Sequence, residues 1–342
     1  MRKLLQSVFS RPEMGALLML IALTLFFEIL PRVTEGQAWT FINENNLKNL
    51  LSVLPELGLI TIGVTLLLIV KEFDLSVGSL SALTPVLMFE MMNEGSRLLN
   101  FGVGPWVAIP LALAVAAGIG YLNGWITLKF RIHSFVTTLG MLFVVRSLAV
   151  VVTDGFPPST PALAPILLSQ TTVLGLSLPL WIFGFVALLA AILLGKTNFG
   201  NWMYATGGDE GSTHCVGVKT DRVKLITFMM CSVLAGLSGI LVALRMATAT
   251  PSSGDGAELE ALAATVIGGA SLQGGIGTIV GAIVGTAIIR SIDVGLIVAR
   301  VDSNWFKFAV GALLIVAVIF NTQIRQWARK IKIEVKATEE VK

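Results

Sequence analysis

The chain has 342 residues, of which 55% are apolar and only 13% charged, and its formal net charge is +3. So low a charged share excludes an ordinary soluble domain and fits a protein that crosses a bilayer several times. The basic residues gather at the ends, Arg2, Lys3 and Arg11 at one, and Arg325, Arg329, Lys330, Lys332, Lys336 and Lys342 at the other. Positive-inside flanks explain that pattern without nucleic acid.

In chain order, apolar runs between polar punctuation predict about ten helices, over 14–30, 47–70, 75–92, 105–128, 134–153, 175–195, 223–246, 256–270, 272–290 and 304–321. The first resembles a secretory signal. Glu28, Pro31 and Arg32 follow it instead of a small-x-small cleavage site, so it reads as an uncleaved transmembrane helix. With the N-terminus inside, sixteen cations fall in cytoplasmic segments: the nine at the two ends plus Lys71, Lys129, Arg131, Lys196, Lys219, Arg222 and Lys224. Only five fall outside, at Arg32, Arg97, Arg245, Arg290 and Arg300, which puts both termini in the cytoplasm. The fold class is therefore an all-α polytopic membrane protein with some broken or half-helices. Its polar segments are too short for a separate core, so residues 1–342 form a single membrane domain with a cytoplasmic loop at 196–222 and a basic tail at 322–342. The proline-rich stretch Asp154 to Pro165 reads as an outside connector in preference to a gate. Cys215, Cys231, His133 and His214 are scattered, so no disulfide framework or metal site is expected.

Three segments stand out. In Lys71-Glu72-Phe73-Asp74-Leu75-Ser76-Val77-Gly78-Ser79 three charges separate two apolar runs, and Asp74 is placed to cap a helix starting at Leu75. This is either a cytoplasmic turn or a deeper break facing a path. The segment Lys196 to Lys224 contains Phe199, Trp202, Tyr204, Gly207, Gly208 and then Glu210 to Val218, one or two helical turns with Asp209 as N-cap and Gly217 as stop. Its aromatics read as interfacial anchors, with lodging in a partner's groove as the alternative. From Gly254 to Gly277, a helix too short to span is preceded by acids and interrupted at Gly268-Gly269. Such a break is tolerated only where it is packed in protein or lines an aqueous cavity. Glu258 and Glu260 read as hydrated first-turn residues in preference to an intramembrane site. Gly277, Gly281 and Gly285, at four-residue intervals, mark one helix face for close packing. Asp74-Leu75-Ser76-Val77-Gly78 and Ser271-Leu272-Gln273-Gly274-Gly275 form a weak internal echo.

Together these strings resemble the permease subunits of ribose-type ABC importers. Phe73 to Ser79, Phe135-Val136-Thr137-Thr138-Leu139-Gly140, Thr197 to Gly208, and Glu258 to Gly275 occur in that family's order. The resemblance implies a homodimer, or a pair with a similar permease, around a central pathway. It also implies a cytosolic ABC ATPase carrying the ATP and Mg, a periplasmic solute-binding protein, and residence in a bacterial inner membrane. By the same resemblance Gly207, Gly208, Asp209, Glu210, Ser212, Thr213, His214 and Gly217 couple to the ATPase. The family usually continues past Gly-Gly with Asn and Ala-Ala-Arg; Asp209, Gly211-Ser212 and Thr213-His214-Cys215 stand here, which points to a dedicated ATPase. Candidate lining residues of the path are Asp74, Ser76, Ser79, Asn123, Thr137, Gly268, Gly269 and Gln273. The chain has no Gly-x-x-x-x-Gly-Lys-Ser/Thr loop, so no ATP hydrolysis and no bound cofactor are expected of it. An ion-coupled transporter is the alternative, and would want a buried carboxylate or cation relay; Glu28, Glu90, Arg146 and Asp293 lie within or beside spans but show no paired acid–base set.

Overall fold

The computed structural model describes residues 13–35, 41–93, 101–158, 172–173, 175–299, 301–302, 305–316 and 319. The terminal cations Arg2, Lys3 and Arg11, Arg97, Arg300, the tail 322–342 and the prolines Pro161 and Pro165 lie outside the described residues.

The chain is helical, with one short antiparallel pair, β1 (Thr172–Val173) and β2 (Leu176–Ser177). The helices are α1 (Glu13–Glu35), α2 (Glu44–Ile69), α3 (Val77–Met92), α4 (Pro105–Phe130), α5 (Ser134–Thr153), α6 (Leu178–Lys196), α7 (Asn198–Gly208), α8 (Glu210–Cys215), α9 (Thr220–Met246), α10 (Ala257–Ile267), α11 (Ile279–Val298) and α12 (Trp305–Val316). Six of them, α2, α4, α5, α6, α9 and α11, are long and apolar enough to cross a membrane, and three shorter apolar stretches accompany them. The chain is a multi-pass integral membrane protein.

Burial sorts the helices. In α2, 83% of the apolar window is buried, and in α11 and α9 61% and 56%, against 17–28% in α4, α5 and α6. The first group forms the interior and the second presents apolar side chains such as Phe143, Val151, Phe185 and Leu188 outward, as lipid-facing helices do. Helix α9 is the central pillar, running antiparallel to α4: Gly120 faces Ser232, and Gly124 faces Leu225 and Phe228. Hydroxyls inside these apolar helices are satisfied by their own backbone, as in Thr61 to Leu57 (2.8 Å), Thr65 to Thr61 (2.7 Å) and Thr286 to Ala282 (2.8 Å). Helix α1 is held by Phe27, 5% exposed, which stacks on Phe41 and packs against Gly295 of α11.

Helices α3 and α10, packed into the bundle, are too short to span. At 1.5 Å per residue, the 16 residues of α3 reach about 24 Å and the 11 of α10 about 16 Å, against ~30 Å of hydrocarbon. Several sequence expectations need correction here. Helix α3 starts at Val77 with Ser76 at its cap position, so Asp74 does not cap a helix beginning at Leu75. The last long helix begins at Ile279, not 272, because Thr278 accepts the Gly281 N–H (3.0 Å) and fixes the start there. Gly277 therefore lies in the preceding loop, and only Gly281 and Gly285 share a helix face. Arg245 and Arg290 are helix residues in α9 and α11, each paired with a carboxylate.

Candidate functional site

Three polar centres interrupt this apolar bundle, and the broken segments build two of them. The first is a junction at the C-terminal end of α2. Past Ile69, Lys71 takes a left-handed φ of 65°, which ends α2 and leaves the Ile69 carbonyl free. That carbonyl accepts the Gly275 N–H at 2.9 Å. Gly207, the penultimate residue of α7, is pressed against both: a Cβ there would collide with the Ile69 oxygen, so only glycine fits. Gly208 lies against Gly275, Gly274 against the Gly207 carbonyl and Lys71, and the Tyr204 hydroxyl donates to the Gly277 carbonyl (2.7 Å). The ends of α2, α7 and the 274–277 loop thus meet at one point.

The α8 turn is attached to this point electrostatically. Asp209 caps α8, accepting from the Ser212 N–H (3.1 Å) and Ser212 hydroxyl (2.7 Å), and these bonds hold its carboxyl below the usual range. The Thr213 hydroxyl donates to the Asp209 carbonyl (2.6 Å), and Gly217 ends the turn with φ +88°. Glu210, Ser212 and His214 face outward. Lys224 at the foot of α9 bridges two carboxylates, Glu210 of α8 at 2.8 Å and Glu72 of the α2–α3 break at 2.9 Å. Beside α8 a groove of about 500 Å3 is bordered by Phe199, Trp202, Val216 and Ile226 with Lys219 and Arg222. Trp202 is exposed, whereas Tyr204 is committed to Gly277, so the three aromatics do not act as one anchor.

The second centre surrounds Asp74, which is 5% exposed. Its Oδ1 accepts from the Ser76 N–H (2.8 Å) and the Ser76 hydroxyl (2.6 Å), an Asx turn that leads the chain into α3. Asn123 of α4 donates to Asp74 Oδ2 (3.3 Å) and Ser76 Oγ (2.9 Å), and the Ser232 hydroxyl of α9 lies 3.5 Å from Oδ2. Neutral donors thus tie the break to two spanning helices. Ser79 stands apart, donating to the Leu142 carbonyl (2.9 Å). Thr137 is half-buried in α5 with an unpartnered hydroxyl, and Gln273 is exposed in the 268–278 loop. Gly268 is pressed against the Gly281 carbonyl, and Gly285 against that of Ala264, which brings α11 onto the end of α10. Gly269, with φ +96°, turns the chain out of that helix.

The third centre was missed in the sequence. Glu56 lies inside α2, directly after Pro55, and pairs with Arg245 of α9, while the Ser238 hydroxyl donates to the Glu56 carbonyl. Arg290 of α11 reaches Glu260 of α10 (3.6 Å) and Asp293 (3.5 Å), and Arg146 of α5 donates to the carbonyls of Pro251 (3.0 Å) and Ser253 (2.9 Å). Glu258 is 9% exposed and Glu260 is ion-paired, so neither is the hydrated first-turn residue expected. A carboxylate inside an apolar run was the available signal for Glu56. Among the described residues no cluster of His, Cys, Asp or Glu has metal-binding geometry.

Comparison with known proteins agrees with this architecture. The family described as "Branched-chain amino acid transport system / permease component" matches residues 46–318. The ribose import permease protein RbsC of Escherichia coli (strain K12) is 34% identical over 308 residues, 89% of this chain and 92% of that protein. The autoinducer 2 import system permease protein LsrC of Yersinia enterocolitica serotype O:8 is 31% identical over 325 residues, 94% of this chain and 85% of that protein. LsrC of Photorhabdus luminescens is 34% identical over 278 residues, 80% of each chain. No solved structure matches.

Proposed function

This chain belongs to the branched-chain amino acid transport system / permease component family, and from that membership we propose that it is the membrane permease of an ATP-driven importer of a monosaccharide or related small polar solute. In this reading residues 1–342 form one domain of about ten transmembrane segments in a bacterial inner membrane, with both termini cytoplasmic. It pairs with a second copy or a similar permease. A cytosolic ABC ATPase supplies ATP and Mg, and a periplasmic binding protein delivers solute. The named functions of RbsC and LsrC support the solute class.

The observation that carries the reading is the junction of Ile69, Gly207 and Gly275, where the α7–α8 pair abuts both interrupted regions of the membrane domain. Force applied at α8 by an ATPase reaches α9 and the α2–α3 break through Lys224. Alternating access then follows as rigid movement of the short helices α3 and α10 against the pillar α9. The test is reconstitution of the chain with its ATPase and binding protein in proteoliposomes. Solute uptake should require ATP and stop with vanadate; uptake without an ATPase that collapses with a proton uncoupler would replace this reading with ion-coupled transport.

A further inference from the structure

The groove of about 500 Å3 beside α8 runs between α7 and the foot of α9, and its wall is chemically divided. Lys219, the cap residue of α9, and Arg222 are exposed, and neither side chain has an ion pair or hydrogen bond among the described residues. Asp221 lies between them in sequence but does not border the groove. The rest of the wall is apolar, with Trp202 and Ile226 each 44% exposed and Phe199 half-buried.

Lys219, Arg222 and Ile226 follow at helical spacing and stand in line on one face of α9. From Lys219 to Ile226 the helix rises about 10 Å. The headgroup layer of a bilayer is roughly 5–8 Å deep on each side of the hydrocarbon. With both cations among the headgroups, Ile226 therefore reaches the hydrocarbon edge. Beyond it the same face continues through Met229, Met230 and Val233, all half-buried. The groove also extends a lipid-facing surface, because α6, which presents Phe185 and Leu188 outward, leads through Thr197 into Phe199.

We infer that this groove seats an anionic phospholipid, with its phosphate on Arg222 and Lys219 and the upper part of one acyl chain on Trp202 and Ile226. A guanidinium meets phosphate oxygens in pairs, and an ammonium adds a point charge. The Trp202 indole suits the headgroup boundary, with an apolar body and an N–H that donates to a lipid oxygen. A soluble anion gains nothing from an exposed Ile226, and a cytosolic protein does not reach a side chain at hydrocarbon depth. Residues 216–219 border the groove and join α8 to α9, so a seated lipid buttresses the loop that holds α8. Two cations at about a factor of five each give about a twenty-fivefold preference for an anionic over a zwitterionic lipid. The site requires only that the chain spans a membrane, whatever solute it carries.

The test is tryptophan quenching of the full chain in phosphatidylcholine nanodiscs that contain a graded fraction of dibrominated lipid. Subtracting the signal of the Trp202→Phe variant isolates Trp202. Brominated phosphatidylglycerol should half-quench it at about one twenty-fifth of the mole fraction that brominated phosphatidylcholine requires. Lys219→Gln should narrow that ratio to about fivefold, and Lys219→Gln/Arg222→Gln to within about twofold. Both residues are exposed, so melting temperatures should match wild type; if the double variant does not fold, Arg222→Gln decides, with about fivefold expected. Equal quenching by the two lipids in the wild type, or a ratio unchanged in the folded charge variants, overturns the lipid site. Excess soluble glycerol phosphate should leave the quenching intact; displacement by it makes the groove a phosphate site and overturns the lipid. Adding the ATPase of the proposed transporter should also leave it intact, and loss of quenching then assigns the groove to that subunit and overturns the lipid equally.

Discussion

Replacing Lys224 with methionine separates the two bridges that this side chain makes. At an effective dielectric constant of ~20, unit charges 2.9 Å apart attract by roughly 6 kcal/mol, most of which desolvation takes back. What remains measurable is the stranding of a partner. Lys224 and Glu72 have side chains 9% and 11% exposed, so Lys224→Met leaves Glu72 charged in a poorly hydrated place and should cost about 3 kcal/mol. Glu210 is 47% exposed, and its neutralisation by Glu210→Gln should cost under about 1 kcal/mol. The double variant Lys224→Met/Glu72→Gln strands nothing and should recover about half of the loss or more. Unfolding free energies from denaturing-detergent titration of micellar protein give the cycle directly. A Glu72–Lys224 coupling below about 0.5 kcal/mol, or equal couplings for both carboxylates, would refute the claim that the inner bridge is the structural one.

Gly281→Leu drives a side chain into the Gly268 carbonyl and should destabilise by more than about 3 kcal/mol; an unchanged melting curve would show that α10 and α11 do not need this close approach. Asp74→Leu removes the acceptor of the Ser76 N–H and hydroxyl and one of the two acceptors of Asn123 and should cost about 2–4 kcal/mol, with Asp74→Asn milder; equal stability of the two would deny the carboxylate its bracing role. Asp209→Ala should lower solute-stimulated ATP hydrolysis and Asp209→Asn retain it, since Asn also caps helices, and equal activity of the two would count against α8 as the coupling element. Because its serine bonds depress the Asp209 carboxyl, the cap is fully present above the ordinary Asp value of 3.8 and is lost only as pH falls through the lowered one. Circular dichroism of an α7–α8 peptide is not the measurement for this; stimulated hydrolysis should show no Asp209-dependent step between pH 5 and 8.

Apolar length made most of the fold legible, because a span of ~20 uncharged residues has few alternatives. The α8 turn was legible for a local reason: Asp209 and Gly217 are start and stop signals that act on their own neighbours. The start of α11 was not, since the apolar run 276–290 gives no hint that Thr278 and the positive-φ glycines Gly274 and Gly275 hold the chain extended until Ile279. The pairing of Glu56, Arg245 and Arg290 went unread for a different reason. Sequence shows each as a single charge within or beside an apolar run, and only tertiary packing reveals that opposite charges from α2, α9, α10 and α11 compensate one another. The buried setting of Glu258 was hidden in the same way, by the approach of Gly78 from another helix.

The Ile69 carbonyl described above serves two discontinuities at once, as acceptor for Gly275 and as the floor on which Gly207 rests. In the proposed transport cycle, a shared fulcrum of this kind forbids independent strokes: when the α7–α8 hairpin tilts, the half-helices behind both gaps must swing in the same beat. That cycle gears the protomer as a single latch, and spectroscopic labels on α3 and α10 should report one common switching rate, never two.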